Sequence, residues 1–431
     1  DLEMPTGIYF DTLLQSAVTA GQVPQTVIND KLIRRFSTMM NLGVFHTPPG
    51  LTTIPGQQDG LISRQIAEAG MVLLQNKPGI APLSTTKILP LNASTLHRIA
   101  VIGPYAGAAM TGGGGSSIVT PIYTVAPLAG IRNRVAPTVS VSYNDGSTIS
   151  SAVSLAKTAD VAIVMVGDSE TEGTDNSISL SGNQDSLVQS IVAANPNTIV
   201  VMKSGTAILM PWASSVPAIL QAWYPGEEDG NAVAAVLFGD VNPSGKLPLT
   251  FPVQLSDLPA NTAAQYPGVL VNGVPTATYS EGVFVGYRHF DHAGIAPLFP
   301  FGFGLSYTNF SFQNLAVSPT TFTFTNNPSQ TVTVNLSVTN TGTVPGAEVV
   351  QLYLGIPSTA VPEPPKSLQG FQKTILLAPG QTVPVQFTLN QRSFSYWEVA
   401  SHSWRVAPGP YQIMVGDSSR DILQQVRITI N

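Results

Sequence analysis

The chain has 431 residues, of which 43% are hydrophobic and 10% are charged, and its net charge is −6 at pH 7. This length exceeds what one core can organise and predicts two or three domains. The acidic balance argues against nucleic acid and anionic membranes as partners, and no apolar run reaches the roughly eighteen residues of a membrane span. A neutral ligand fits this composition better than a polyanion does.

Covalent features are few. Cysteine is absent, which excludes disulfides and thiolate metal sites. Three acceptor sequons for N-glycosylation are present, at Asn92, Asn309 and Asn335. Because the first residue is Asp1 rather than Met, we expect a processed, secreted and extracellular glycoprotein, or a fragment of one.

The hydrophobic pattern of residues 1–48 predicts helices. Apolar residues recur at spacings of three and four over residues 9–20 and 27–42, and a glycine follows each segment. Two helices are too few for a domain, so this segment is predicted to be the end of a larger one. Residues 49–60 are rich in Pro, Gly and Thr and are predicted to be a linker.

From residue 61 to residue 252, apolar strands alternate with helices. Strands are predicted over residues 98–103, 161–167, 198–202 and 216–222, and helices over residues 61–75, 151–157, 184–194 and 230–238. Alternation of this kind predicts βαβ units, with a mostly parallel sheet covered by helices on both faces. Residues 253–312, which contain many Pro, Gly and aromatic residues, are predicted to be a structured connection.

The hydrophobic period changes to two from about residue 313. Alternating strands are predicted over residues 331–338, 348–354, 382–389, 411–415 and 425–430. Turn residues separate them, as in Pro379-Gly380 and Pro408-Gly409. Residues 313–431 are therefore predicted to form an antiparallel β-sandwich of the immunoglobulin or fibronectin III type.

An acidic loop follows the most apolar predicted strand. Val161–Gly167 precedes four carboxylates in eight residues, Asp168, Glu170, Glu172 and Asp175. In open α/β sheets, ligands bind beyond the carboxyl ends of the strands, and carboxylates there are candidates for general acid/base catalysis. Helix capping or simple solvation is the competing interpretation, and the spacing alone favours it.

Other candidates give weaker signals. The run Gly112–Gly115 has the wrong spacing for a dinucleotide fingerprint, and it either lets backbone approach a ligand closely or forms a flexible surface loop. His289 and His292 are too few for a metal site, so no metal and no cofactor are predicted. A Ser-His-Asp hydrolase needs a nucleophile elbow, and no Gly-x-Ser-x-Gly motif follows a buried strand. The pair Trp223-Tyr224 either stacks on a sugar or packs in a core, and packing is the simpler interpretation.

A series of motifs extends along the whole chain. They are Asp1–Pro5, Ile66–Asn76, Gly112–Ser116 with Pro121–Tyr123, Glu172–Gly173 with Asp175, Pro225–Gly226 with Gly230–Ala232, Leu237–Pro248, Tyr279–Gly282 with Gly286–Arg288, Pro297–Tyr307, Glu348–Tyr353, Leu368–Lys373, and Val415–Gly416 with Ser418–Ser419. In this order, they resemble the C-terminal half of a glycoside hydrolase family 3 enzyme of the β-glucosidase type.

The resemblance implies a fold and a reaction. Residues 1–48 would be the last helices of a (β/α)8 barrel, residues 61–252 an α/β sandwich and residues 313–431 a fibronectin III-like domain. The reaction would be retaining, exo-acting hydrolysis that releases β-D-glucose from the non-reducing ends of β-glucosides. In this family an Asp of the barrel attacks the anomeric carbon while a Glu of the second domain is the general acid/base, and retention requires their carboxyls to lie about 5 Å apart.

Site residues follow from the resemblance. Glu172, directly before Gly173, matches the acid/base of the family, and Glu170 is the alternative in the same loop. The residues that match substrate-binding positions are Gly115, Ser116, Thr174 and Asp175. Asn176 stands where the family often has Arg, and Thr174 stands where many fungal relatives have an aromatic residue. The leaving-group preference therefore stays open.

The barrel itself is missing from these residues. The resemblance places the nucleophilic Asp and most sugar-gripping residues upstream of Asp1, so it implies a companion chain that carries the barrel. That companion is predicted to be the N-terminal part of the same precursor after proteolysis, with the helices of residues 9–45 packed on it.

Several alternatives stay open. The same mechanism would serve a β-xylosidase or a xyloglucan-oligosaccharide hydrolase, because the missing barrel selects the sugar. A non-catalytic carbohydrate-binding fragment is the interpretation from another class. The fibronectin-like domain either braces the other domains, contacts polymer, or contributes to a homodimer of the complex.

Overall fold

The computed structural model describes residues 2–4, 7–47, 50, 53–81, 83, 86–325 and 327–431. The chain divides into two compact units, residues 1–55 and residues 56–431. The predicted linker, residues 49–60, lies partly outside the described residues. Within the described ranges, no helix is both long and apolar enough to cross a membrane.

The first unit contains two helices, α1 (Thr12–Thr19) and α2 (Gln25–Asn41). Both helical predictions are confirmed, with ends shifted by up to three residues. None of the described side chains of this unit is buried. Leu13 is 59% exposed and Ile33 is 64% exposed. The described part of this unit therefore has no core of its own.

The second unit begins with a six-stranded sheet and its covering helices. The strands are β1 (Val72–Asn76), β2 (Arg98–Ile102), β3 (Ser140–Asn144), β4 (Val161–Gly167), β5 (Thr198–Lys203) and β6 (Ala218–Gln221). The helices are α3 (Gly56–Gly70), α4 (Pro127–Arg134), α5 (Ile149–Ala156), α6 (Gln184–Ala194) and α7 (Asp229–Leu237). The strand order is β1-β6-β5-β4-β2-β3, and every pair is parallel except β1 with β6.

The two faces of this sheet carry separate cores. Ile163 and Met165 of β4 belong to one buried cluster, and Ala162 and Val164 belong to the other. Because both faces are covered, β4 and β5 are buried along their whole length, as expected for parallel strands between helices. The predicted α/β sandwich with a mostly parallel sheet is confirmed.

The strand order creates a crevice at one point of the sheet. The chain runs outward from β2 to β3 on one side, and from β4 through β5 to β6 on the other. The chain after β2 and the chain after β4 therefore continue in opposite directions along the sheet, which makes the boundary between these two strands a topological switch point. Such a point is where α/β sheets bind their ligands.

Two predictions for this domain were wrong in part, and two further elements were not predicted. The helix predicted over residues 61–75 ends at Gly70, because residues 72–74 are fully buried and pair with β6. An apolar run such as Met71–Leu74 suits either a buried helix or a buried strand, and only the tertiary pairing decides. Helix α3 also begins at Gly56, so the last five residues of the predicted linker are helical. Helix α4 and the half-exposed edge strand β3 were not predicted.

The connection after the sheet is structured, as expected. It contains the hairpin of β7 (Val269–Val271) with β8 (Val274–Thr276), and helix α8 (Tyr287–Ala293). The first strand of the following domain begins at Phe310, three residues before the predicted start at residue 313.

The last domain is a β-sandwich, and this prediction is also confirmed. Its strands are β9 (Phe310–Ser318), β10 (Thr321–Phe322), β11 (Val332–Asn340), β12 (Val349–Gly355), β13 (Ser367–Lys373), β14 (Thr382–Leu389), β15 (Ser395–Glu398), β16 (Ser403–Val406), β17 (Gly409–Gly416) and β18 (Ile422–Ile430). A five-stranded sheet, β10-β18-β17-β12-β13, and a three-stranded sheet, β14-β11-β9, contribute to a third core.

Candidate active site

Two loops that the sequence analysis singled out separately meet at the switch point. The acidic loop follows β4, and the glycine loop, Gly112–Gly115, lies in the segment that follows β2. The amide of Gly114 donates a hydrogen bond to the carbonyl of Glu170 at 2.7 Å. Gly114 and Thr171 also form an isolated parallel β-bridge. The carboxyl ends of β2 and β4 therefore carry one joined structure.

The glycines permit this close approach. A Cβ atom at Gly114 would lie 2.6 Å from the Cβ of Thr171, and a Cβ at Gly115 would lie 2.6 Å from the Cβ of Glu172. Gly115 also has a φ of +70°, which disfavours other residues. Approach of the glycine run to a ligand stays a prediction, but the described backbone does approach a neighbour closely. The neighbour that it approaches is the acidic loop.

Glu172 lies at the exposed tip of this structure. Its Oε2 accepts a hydrogen bond from the backbone amide of Ser116 at 3.0 Å, and a second from the Ser116 hydroxyl. These two hydrogen bonds lower the pKa of Glu172, because they stabilise the charged form. The structure therefore brings together Gly115, Ser116 and Glu172, three of the predicted site residues.

Thr174 and Asp175 are exposed further along the same loop. The carboxylate of Asp175 contacts the hydroxyl of Tyr266, and this hydrogen bond is the largest cause of a raised pKa at Tyr266. Asp175 thus connects the acidic loop to the segment that leads into β7.

Glu170 has a different environment. Its Oε1 is buried, and a side chain at Gly205, just beyond β5, would collide with its Oε2. Burial, the negative charge of Asp168 and a hydrogen bond with the Asp168 carboxyl raise the pKa of Glu170 to about 7. The pKa values of Glu170 and Glu172, two positions apart in one loop, are therefore shifted in opposite directions.

Tyr224 holds the beginning of the acidic loop. Its hydroxyl donates a hydrogen bond to Oδ1 of Asp168 at 2.7 Å and accepts one from the amide of Glu170 at 2.9 Å. Stacking on a sugar and core packing were the two roles predicted for this residue. The hydrogen-bonding role was missed because Asp168 lies 56 residues away in the chain.

A buried ion pair lies near the glycine loop. Lys203 ends β5, Asp229 begins α7, and both side chains are 0% exposed where the Lys203 ammonium contacts Oδ2 of Asp229. The same oxygen accepts a hydrogen bond from the amide of Met110 at 2.9 Å. This pair was not predicted. Its only signal was a charged residue at the end of an apolar strand.

The remaining candidates lie elsewhere. His289 hydrogen-bonds the carbonyl of Asp257 through Nε2 at 3.1 Å, and His292 stacks on Phe284. The described residues contain no group of three or more His, Asp or Glu that could hold a metal ion. Side chains at the three sequons, Asn92, Asn309 and Asn335, are exposed.

Comparison with known protein families gives two matches. Residues 71–287 match the glycosyl hydrolase family 3 C-terminal domain, and residues 348–419 match a fibronectin type III-like domain.

Similar curated proteins include thermostable beta-glucosidase B of Acetivibrio thermocellus, which is 35% identical over 448 residues, covering 100% of this chain and 56% of that protein. An exo-alpha-(1->6)-L-arabinopyranosidase of Bifidobacterium breve is 37% identical over 381 residues, covering 86% of this chain and 48% of that protein. The chain therefore spans about half the length of these relatives.

Solved structures resemble the chain over nearly its whole length. DesR, a beta-glucosidase from Streptomyces venezuelae crystallised with D-glucose, has a TM-score of 0.88 and 29% identity, covering 99% of this chain and 67% of DesR. Beta-glucosidase 3B of Thermotoga neapolitana has a TM-score of 0.86 and 26% identity, covering 99% of this chain and 62% of that chain.

Proposed function

The chain belongs to glycoside hydrolase family 3, and we propose that it supplies the general acid/base of a retaining, exo-acting glycosidase. The reaction releases β-D-glucose from the non-reducing ends of β-glucosides. The observation that carries this proposal is the contact between Glu172 and the glycine loop, at the switch point of the sheet where such folds bind ligands. Two similar curated proteins are named as beta-glucosidases, and these names support the proposal.

Glu172 is suited to both halves of the reaction. It is exposed, so a leaving-group oxygen and then a water molecule can reach its carboxyl. In the first step the protonated carboxyl donates to the leaving oxygen, and in the second the carboxylate takes a proton from water. The lowered pKa must rise for the first step. Burial under a barrel, with a second carboxylate about 5 Å away, acts in that direction.

Glu170 is the alternative acid/base. Its pKa of about 7 suits an acid near neutral pH better than that of Glu172. Its carboxyl, however, lies against Asp168 and Gly205, and its Oε1 is buried. Because a leaving group must reach the acid directly, we assign the role to Glu172.

We place the nucleophile on polypeptide outside these 431 residues. The family match covers a C-terminal domain, and the chain spans about half of its relatives. The apolar side chains that α1 and α2 leave exposed give a barrel a surface to cover. Intact-mass analysis of the active, purified material is expected to find the barrel, on a companion chain or on the same one. Activity from these 431 residues alone would contradict this assignment.

The acid/base role is tested with leaving groups of different basicity. In the barrel-containing enzyme, Glu172→Gln is expected to lower kcat/KM for cellobiose by about 10²–10⁴-fold, because the alkoxide leaving group needs a proton. A dinitrophenyl β-glucoside needs none, so its first step should be nearly unaffected. Glu170→Gln is the matched control, and it should not show this dependence on the leaving group.

The outcomes separate the alternatives. The same pattern in Glu170→Gln instead of Glu172→Gln would transfer the role to Glu170. Full activity of Glu172→Gln, together with sugar binding by this chain alone, would favour a non-catalytic carbohydrate-binding fragment.

Substrate preference is tested with nitrophenyl glycosides. We expect the β-D-glucoside to give a higher kcat/KM than the β-D-xyloside. An α-L-arabinopyranoside belongs in the panel because of the name of the Bifidobacterium relative. A higher kcat/KM for either of these two sugars would replace the glucosidase assignment and keep the mechanism.

We also propose that the protein is a secreted glycoprotein. The exposure of Asn92, Asn309 and Asn335 makes all three accessible for modification. Enzymatic removal of N-glycans is expected to lower the mass of the native protein, and an unchanged mass would contradict the proposal.

A further inference from the structure

Two buried carboxyl oxygens at the base of the acidic loop have no donor. Oδ2 of Asp168 and Oε1 of Glu170 are both buried, and neither accepts a hydrogen bond from a described residue. The other oxygen of Asp168 is bonded to Tyr224. The Asp168 and Glu170 carboxyls are in hydrogen-bonding contact with each other.

Two ionised carboxylates cannot form such a contact, because neither has a proton to donate. Like charges this close repel, and one of the two groups then keeps its proton. A single proton between the carboxyls removes the repulsion and supplies the missing donor.

We propose that Asp168 and Glu170 share one proton and that this proton holds the acidic loop in place, which makes Glu170 a positioning residue for Glu172. The positioning role rests on the proposed function of Glu172, whereas the shared proton does not. Loss of the proton leaves two carboxylates side by side, and their repulsion moves Glu170 away from Asp168.

A backbone hydrogen bond connects the Asp168–Glu170 pair to the glycine loop that holds Glu172. The carbonyl of Glu170 accepts the hydrogen bond from Gly114, and the amide and hydroxyl of Ser116, two residues further on, hold Glu172. Displacement of Glu170 therefore breaks the contact that sets the distance between the glycine loop and Glu172. The loosening is expected near neutral pH, because the pKa of Glu170 is raised to about 7.

Other titratable groups surround the pair. Tyr224, from the segment after β6, stays a hydrogen-bond donor because burial raises the pKa of its hydroxyl. Tyr105, from the segment after β2, has a pKa raised by burial and by the charge of Asp168. Lys203 ends the neighbouring strand β5, and its ammonium is paired with Asp229. Glu172 is ionised across the same range, since its pKa is lowered.

Hydrogen exchange measured by mass spectrometry on the intact protein tests the proposal. After correction for the intrinsic pH dependence, peptides that cover residues 112–117 and 168–176 should exchange about threefold faster, or more, at pH 8 than at pH 6. Glu170→Gln places a neutral amide donor against Asp168, so it should keep slow exchange at both pH values. Asp168→Asn should behave in the same way, with its amide donating to Glu170.

The control is Glu172→Gln, which changes the tip and leaves the pair intact. It should retain the pH dependence of the wild-type protein. Equal exchange at pH 6 and pH 8 in the wild type would overturn the shared proton. So would an undiminished pH dependence in Glu170→Gln, provided that its circular dichroism shows a folded protein.

Activity separates this inference from the proposed function. In the barrel-containing enzyme, Glu170→Gln should shift the alkaline limb of kcat to higher pH and leave KM nearly unchanged. An unshifted limb with altered exchange would remove the positioning role and keep the shared proton. If Glu172→Gln is fully active while the exchange results hold, the proposed function fails and the shared proton stands.

Discussion

Two regions at the carboxyl edge of the sheet are built in opposite ways. A polar layer consists of Asp168, Glu170, Lys203, Tyr224 and Asp229, of which Lys203 and Asp229 are fully buried and the other three are partly buried. An exposed tip consists of Gly115, Ser116 and Glu172. Side chains of the layer bond to one another and to loop backbone, whereas Ser116 holds the Glu172 carboxylate. The layer is thus held by side-chain contacts, whereas the Glu172 carboxyl is exposed and held only by the glycine loop.

The largest expected effect is on the fully buried ion pair of the layer. Asp229→Ala leaves the Lys203 ammonium buried and unpaired, so the free energy of unfolding should fall by about 3–5 kcal/mol. Asp240→Ala is the control, because it breaks the half-exposed pair with Arg134 and should lower it by less than about 1 kcal/mol. Urea unfolding measures both. Equal losses would show that the layer is no more fixed than the surface.

The next effect depends on pH. A carboxyl whose pKa is raised from 4.5 to about 7 keeps a proton that the unfolded chain releases, so stability falls as pH rises through that window. Glu170→Gln removes this loss. It should raise the free energy of unfolding by about 1–2 kcal/mol at pH 8, after allowance for solvent screening, and change it little at pH 4.5.

Glu172→Gln is the control for that measurement. The pKa of Glu172 is lowered, so its contribution has the opposite sign. It is present at neutral pH and lost as pH falls through the folded-state pKa. Glu172→Gln should therefore give no gain at pH 8. A gain equal to that of Glu170→Gln would abolish the distinction between layer and tip.

A smaller effect is expected for Tyr224→Phe. The change removes the donor to Asp168 and the acceptor for the Glu170 amide, and should lower the free energy of unfolding by about 1–2 kcal/mol. Thermal unfolding at pH 6 measures it. No loss would mean that water replaces the hydroxyl as the hydrogen-bond partner of Asp168 and of the Glu170 amide.

The smallest effect on stability belongs to the tip. Ser116→Ala removes one of the two hydrogen bonds that lower the pKa of Glu172, so that pKa should rise and the small contribution of Glu172 to stability at neutral pH should fall. Carbon-detected NMR of the Glu172 carboxyl follows its titration. Ser117→Ala is the control, because its hydroxyl bonds the carbonyl of Gly114. An equal shift in both variants would argue against a specific role for Ser116.

Much of the fold was predictable from the sequence. Alternation of apolar strands and helices predicts the parallel sheet, because strands buried on both faces are continuous apolar runs. The antiparallel strand β1 was not predictable, since Met71–Leu74 has no period that separates a helix from a strand.

The site was predictable in outline only. The acidic loop and the glycine loop were both identified, but their contact was not, because 56 residues separate Ser116 from Glu172. The contrast between the pKa values of Glu170 and Glu172 depends on burial of Glu170 beside Asp168 and on Ser116, which comes from the segment after β2. Neighbours of this kind are set by strand order and leave no local pattern.

The close packing at Gly114 and Gly115 limits which substitutions the chain can accept at these two positions. Any side chain at either position would collide with the acidic loop, so the backbone path there cannot absorb substitutions. Thr174 and Asn176 are exposed and carry no such restriction. Substitutions at residues 174 and 176, with both glycines kept, are therefore expected to preserve the contact between the two loops.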